Sequence, residues 1–270
     1  MHTPEERNLS SWLKENLPRF HRSKVNDHLP AFEIIPNGLY FFLIQSFLKR
    51  YGIRPKGMVH VGGHLGQEIL PYALLGFEKV LIIEPLESAV DRLRAISGIY
   101  NDLARSCVQV FGGDPFVEIF IEPCAAGEKE GSSKLYVTRE TGLSSTHKPV
   151  AEVQVNGLNL SEVTMEQDIQ VRRLDGLIGE KYSNIEFNGM RVNVQGDELD
   201  VFKGAVHLIG KMDFIFCEAN YNQRYEAIPS TADLIGFLEK HDHTLVRHDI
   251  LSDDVGNLLF INNNLIPNDQ

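Results

Sequence analysis

The sequence predicts an α/β protein built on a mostly parallel sheet with helices on both faces. Three observations carry that prediction. Short runs of aliphatic residues alternate with amphipathic stretches of helical period, the pattern of strands joined by crossover helices. Two of the runs end in glycine or a carboxylate, VHVGGHLGQE at 59–68 and KVLIIEP at 79–85, and in parallel sheets the ligand crevice lies beyond such strand ends. The last two strand candidates are joined by the short link ILSDDVGN, close enough for a hairpin, so one edge strand is expected to run antiparallel.

Taken in order, residues 1–55 read as a helical extension and residues 56–270 as one domain. The extension has an amphipathic start, LSSWLKENL, then the apolar helix LYFFLIQSFL at 39–48, and GIRPKG closes it. MVHVG reads as the first strand, and GQEILPYALLG as a helix start broken or kinked near Pro71. KVLIIEP is a strand, and LESAVDRLRAI is a helix with Leu86, Ala89, Val90, Leu93 and Ile96 on one face. VEIFIEPCAAG and GSSKLYVTRE are strands, and 141–166 reads as loop with a short strand in AEVQV. The rhythm then resumes with strand MRVNV, helix DELDVFKGAVHLIG, strand DFIFCEA, helix STADLIGFLEKH, and strands TLVRHD and NLLFINN.

Composition removes several classes of function. At 270 residues, 43% hydrophobic and 23% charged, the chain suits a globular domain with a large core. A net charge of −11 opposes contact with nucleic-acid backbones. LYFFLIQSFL is too short to span a bilayer, holds Gln45 and Ser46, and lacks the flanks of a signal peptide, so a cytoplasmic protein is expected. Cys107, Cys124 and Cys217 are too few and too scattered for a disulfide framework, and each reads as a small core residue in a reducing compartment. The histidines of HDH at 241–243, and His248, lack a matching acid cluster and read as solvated surface, so no metal is expected.

Gly62, Gly63 and Gly66 form the first strand-end loop. A dinucleotide fingerprint would place a glycine where His64 or Leu65 stands, so the NAD reading fails at its most specific residue. What remains is a turn that lets backbone approach a ligand, followed by a helix start that favours a carboxylate. Glu84 ends the next strand 18 residues past Gly66, where an acid can take both hydroxyls of a ribose. Ribose plus carboxylate without pyrophosphate describes S-adenosylmethionine. The competing readings are a glycine turn made for packing and a plain strand-end acid.

The segments VHVGGHLGQE with LIIEP, RVNVQGDELDVFKGA at 191–205 and IFCEANYNQRYEA at 215–227 resemble the FkbM-type S-adenosylmethionine-dependent methyltransferases. The likeness runs from about Met58 to about Asn262, and the first 55 residues match no family. It implies a class I, Rossmann-like methyltransferase fold: a seven-stranded sheet with the last strand antiparallel. It implies methyl transfer usually to oxygen, here a hydroxyl of a sugar, glycan or natural product. Gly62, Gly63, Gly66 and Glu84 would hold the cofactor together with the neighbouring His60 and His64, and CAAGEKEG makes Ala125 and Ala126 contacts beside the adenine. His60 and Asn193 both stand where the family commonly has Asp, and losing the second carboxylate weakens any case for a divalent metal.

A hydroxyl acceptor must lose a proton, so a base is sought after the same strand ends. Gln195 and Glu198 follow Asn193 and the fourth strand; Glu218 and Asn220 follow the fifth. Glu218 is preferred, because ending an apolar strand should desolvate it and raise its pKa, whereas Glu198 also reads as a first-turn acid facing a helix dipole. His147, in TGLSSTHKP, is an alternative base, and His64 either shapes its loop or reaches the acceptor. Rival readings are a non-catalytic cofactor-binding module of the same fold and a nucleotide-dependent oxidoreductase. The N-terminal helices would cover the cofactor edge or form a homodimer contact.

Overall fold

The computed structural model describes residues 38–95, 97–98, 117–155, 157–250 and 255–266. LSSWLKENL, Ile96, Cys107 and residues 251–254 of the last link lie outside them. Seven strands form the main sheet: β1 (Gly57–Val61), β2 (Lys79–Ile83), β3 (Glu118–Glu122), β9 (Gly189–Val192), β10 (Phe214–Asn220), β11 (His243–Ile250) and β12 (Val255–Asn262). Their order is β11-β12-β10-β9-β1-β2-β3. The five strands from β10 to β3 pair in parallel, while β12 runs antiparallel to both β10 and β11. The reversed strand is therefore not the edge strand that the short link suggested. It is inserted between β10 and β11, and the burial of VGNLLFIN explains why: Leu258 to Ile261 are all buried, as an interior strand requires.

Period-2 alternation divides the core. Val59, Val61, Met190, Val192, Ile215 and Cys217 face one layer with Leu174, Phe202 and Leu238. Met58, Val80, Ile82, Phe214 and Phe216 face the other, where α1 (Gly38–Tyr51) lays Ile44, Phe47 and Leu48 against them. Helix α2 (Ile69–Leu75) begins later than GQEILPYALLG suggested, so Pro71 falls in the first turn, where its missing N–H costs nothing and no kink results. Gly76, at φ 91°, closes it. Residues 87–95 form α3, with Leu86, Ala89, Val90 and Leu93 buried as their spacing predicts.

The segment DELDVFKGAVHLIG makes two helices, α5 (Glu198–Lys203) and α6 (Val206–Ile209), rather than one. The break is at Gly204, where a Cβ would lie 2.0 Å from the Gly127 carbonyl oxygen. Asp175, in α4 (Leu174–Lys181), caps the second piece by accepting from the N–H groups of His207 and Leu208 at 3.1 and 2.9 Å. Helix α7 (Thr231–Glu239) starts from a Ser230–Asp233 capping box.

Residues 125–172 build a second sheet beside the strand ends, in the order β4 (Ala125–Ala126), β8 (Val163–Arg172), β5 (Gly131–Thr138). Strands β6 (Gln154–Val155) and β7 (Leu158–Asn159) make a hairpin on it. The start of β8 was expected to be loop. Its outer positions are polar or exposed, and in the strand Ile169 is the buried residue, so apolar alternation was too weak to reveal it. The histidine reading also needs correction. His243 is fully buried at the start of β11, with Nδ1 2.8 Å from the His241 carbonyl and Nε2 3.1 Å from the Met212 carbonyl. His248 is exposed, with Nε2 2.6 Å from the Tyr221 hydroxyl. Cys124 and Cys217 are buried free thiols.

Candidate active site

A cavity of about 350 Å³ opens beyond the ends of β1, β2 and β9, within the range of small-ligand sites. One wall is the loop 62–66. Gly62 sits at φ 79°, and a Cβ there would lie 1.8 Å from the Asn193 carbonyl oxygen; one on Gly63 would lie 2.2 Å from Ile82 Cγ2. These glycines are thus required by the packing of the loop between β2 and β9, and the ligand meets the edge that this packing exposes. The N–H groups of Gly62 and Gly63 donate to the Ile83 carbonyl at 2.9 and 3.4 Å, and that of Gly66 to Gly63 at 2.8 Å.

Glu84 ends β2, buried to 5% exposure, on the cavity wall. Oε2 accepts the His64 N–H at 2.7 Å and Oε1 the Leu86 N–H at 2.8 Å. Burial pushes its pKa up, and these two bonds oppose the rise. Each oxygen keeps a lone pair for a further donor. His64, at φ 43°, is tied by Nε2 to Thr141 Oγ1 at 2.8 Å, which joins the loop to the opposite wall. Ala125 and Ala126 line the cavity with Leu86 and Leu135.

The other wall comes from residues 141–146 and from 193–197. Asn193, Gln195 and Asp197 line it. Gln195 holds φ 58°, a strained value for a residue with a side chain. Its Nε2 donates to Asn193 Oδ1 at 2.8 Å and to Glu218 Oε1 at 2.9 Å. The Ser145 hydroxyl donates to its backbone carbonyl at 2.7 Å.

Several expected site residues lie elsewhere. His60 does not line the cavity: it shares a face with Met58, under α2, with Nδ1 3.4 Å from the Tyr72 hydroxyl, and burial with the nearby Arg191 holds its pKa well below the imidazole range. Glu218 stands behind Gln195, and together with Glu198 and Asn220 it faces a second, much smaller crevice. Glu198 folds its carboxylate back onto the Val194 and Gly196 N–H groups at 3.1 and 3.0 Å. Burial, then the Glu218 charge, pushes it up to about 7. His147 points Nε2 at Asp197 Oδ1, 2.8 Å away, and also bonds the backbone of Glu226. The Asp197 bond raises its pKa. A raised pKa favours the protonated imidazole, which does not suit a base.

Three site features escaped the sequence reading. Asp197 lies in QGDELD between the candidates Gln195 and Glu198, and nothing in that string singles it out from them. Glu68, on the cavity wall, pairs with Arg191 Nη2 at 3.2 Å, and the Arg191 guanidinium lies 5.1 Å from the Phe216 ring centroid. Tyr225, distant in sequence, reaches both Leu143 and Gln195. Parity could have placed Arg191, which pairs with His60 in register. Among the described residues, no three His, Cys, Asp or Glu side chains gather as a metal site, and no helix is long and apolar enough to cross a membrane.

Comparison with known families gives a match over residues 60–245 to the methyltransferase FkbM domain. The chain belongs to the FkbM methyltransferase family. The family's cofactor is S-adenosylmethionine. Curated proteins gave no match. Among solved structures, the FkbM methyltransferase of Methylobacillus flagellatus KT is 18% identical, with a TM-score of 0.49 over 92% of this chain and 60% of that one. This FkbM chain thus spans about 60% of the length of that relative. Magnesium protoporphyrin IX methyltransferase from Synechocystis PCC 6803, solved with bound SAM, is 10% identical, with a TM-score of 0.44 over 97% of this chain and 98% of that one.

Proposed function

We propose that the chain binds S-adenosylmethionine in the 350 Å³ cavity and transfers its methyl group to a hydroxyl of a small-molecule acceptor, a sugar, glycan or natural product. One observation carries the cofactor half: a buried strand-end carboxylate, Glu84, is fixed by two backbone N–H groups with lone pairs left over. Two ribose hydroxyls would complete it and hold it ionised. Pyrophosphate is disfavoured, because Gly62, Gly63, His64 and Gly66 already direct their N–H groups within the protein.

The bound cofactor supplies a methyl carbon on a sulfonium, open to in-line displacement. The chain's task is then placement and exclusion of water, which supplies on the order of 7–11 kcal/mol in favourable cases. Ala125, Ala126, Leu86 and Leu135 offer an apolar slot for an aromatic base. The His64 to Thr141 bond closes the loop edge against the far wall. Asn193 and Gln195 shape the acceptor end. Asp197, on the same wall, is the carboxylate we assign to receive the acceptor's proton, and His147 and Thr146 orient its two oxygens.

Calorimetric titration with S-adenosylhomocysteine and, separately, NAD tests the cofactor. Micromolar binding of the first alone, weakened at least about tenfold in Glu84→Ala by loss of charge-assisted hydrogen bonds, is the expected result. Binding of NAD, or wild-type affinity in the variant, would remove the reading.

A further inference from the structure

The second crevice gives Glu218 a role that its distance from the cavity hides. Tyr225 places its hydroxyl 3.0 Å from both the Leu143 carbonyl and Gln195 Oε1. A phenol has one proton, so with Gln195 oriented this way two acceptors compete for it. The opposite orientation of the Gln195 amide is sterically equivalent. It would donate to the Tyr225 oxygen and leave the phenolic proton for Leu143. It would also turn the Gln195 carbonyl toward Glu218 and Asn193, so both must then donate: Glu218 as a carboxylic acid, Asn193 through its amide nitrogen.

Each arrangement leaves a different atom of Asn193 for the cavity. With Glu218 ionised, Asn193 Oδ1 accepts from Gln195, and Nδ2 is left as a donor. With Glu218 protonated, Asn193 Nδ2 is engaged, and Oδ1 is left as an acceptor. We propose that Glu218 is a positioning residue whose proton sets, through Gln195, whether Asn193 presents its amide nitrogen or its carbonyl oxygen to the cavity. The carbonyl state accepts from a neutral hydroxyl; the amide state favours an anionic oxygen, a deprotonated acceptor or a carboxylate. Placing the acceptor there rests on the proposed function; the coupling of the three side chains does not.

The surroundings permit the proton to come and go. Glu218 lines a crevice of about 10 Å³ with Asn220, Ser230 and Thr231, room for one water. The Asn220 amide has no partner there, and a water would give it one. Such a water would offer Glu218 a proton-exchange partner on the side away from the cofactor cavity. Burial pushes its carboxyl up, opposed by the Gln195 bond and by Arg191 and Arg224. Glu198 and Tyr225 face it as well, and Glu198 feels its charge.

The test is NMR of the ligand-free full chain, with glutamate carboxyl carbons and Asn and Gln side-chain nitrogens labelled, from pH 5 to 8. The expected result is a Glu218 midpoint above the ordinary value of about 4.3, with the Asn193 and Gln195 amide signals moving at that same midpoint. In Glu218→Gln, both amides should become independent of pH, while Glu198→Gln should leave both their movement and its midpoint in place, since Glu198 ionises after Glu218. Amides that stay fixed while Glu218 titrates, or that still titrate in Glu218→Gln, would overturn the proposal. Cofactor binding is read separately, so a failed titration with S-adenosylhomocysteine would not be mistaken for failure of the relay.

Discussion

The two walls of the cavity are made by different means. The wall at 62–66 and 84 is backbone packed on backbone: glycines pressed against Asn193 and Ile82, and N–H groups bonded to Ile83 and Glu84. The wall at 141–147 is an excursion from the second sheet, pinned by the side chains of Ser145, Thr146 and His147 to residues 195 and 197. A wall of the first kind tolerates no added atom. One of the second kind fails by degrees as its pins are removed, which leaves it free to vary in shape.

Glycine substitution should separate them most sharply. Gly62→Ala puts a Cβ 1.8 Å from a carbonyl oxygen in a left-handed conformation, so the sheet end must shift. We expect a loss of about 3 kcal/mol or more in chemical denaturation. Gly142→Ala, on the far wall, meets its nearest atom at 3.6 Å, in ordinary contact, and should cost less than about 1 kcal/mol. Equal losses would dissolve the distinction.

Next comes a pin. Ser145 is 1% exposed; its hydroxyl donates to the Gln195 carbonyl and accepts the His147 N–H at 3.0 Å. Ser145→Ala strands both partners, at about 1–3 kcal/mol. Hydrogen exchange should show faster opening confined to 141–148, with the 62–66 loop still protected.

The same contrast explains what could be read from the sequence. The first wall was legible because its determinants are local: a strand, a glycine turn, and an acid at the next strand end place Glu84 by chain direction alone. The parallel sheet and most helices were legible for the same reason. The second wall depends on β8, whose polar outer face hides its period, and on Tyr225, which meets Gln195 30 residues away in sequence. Glu218 and His60 were misplaced by treating every polar residue at a strand end as facing the crevice. For His60 the alternation with Met58 already assigned it to the α2 face.

The His147 pin adds a dependence on pH. Its bond to Asp197 raises its pKa in the folded chain. The stability it contributes is therefore fully present below the ordinary imidazole range near 6.5 and is lost as pH rises through the raised value. Local opening at 141–148 should increase over that interval by about 1 kcal/mol or less, since the pair is only partly buried. His147→Gln should flatten the profile. Local stability at 141–148 that instead rises with pH would contradict a raised pKa for His147.

The smallest effect is expected on the outer face of the second sheet. Lys134 Nζ lies 2.8 Å from Glu166 Oε2 across the β5 and β8 pair, and both side chains are about half exposed. The pair resembles the pins of the far wall in length, so distance alone would rank it beside Ser145. Solvent separates them: water can replace either partner of the surface pair, whereas the Gln195 carbonyl has no such substitute once the Ser145 hydroxyl is gone. Lys134→Ala should therefore leave both the unfolding midpoint and the exchange of 141–148 unchanged within error. A clear loss would mean that the second sheet is held to the wall by its charges, and that the pins beneath it carry less than their burial implies.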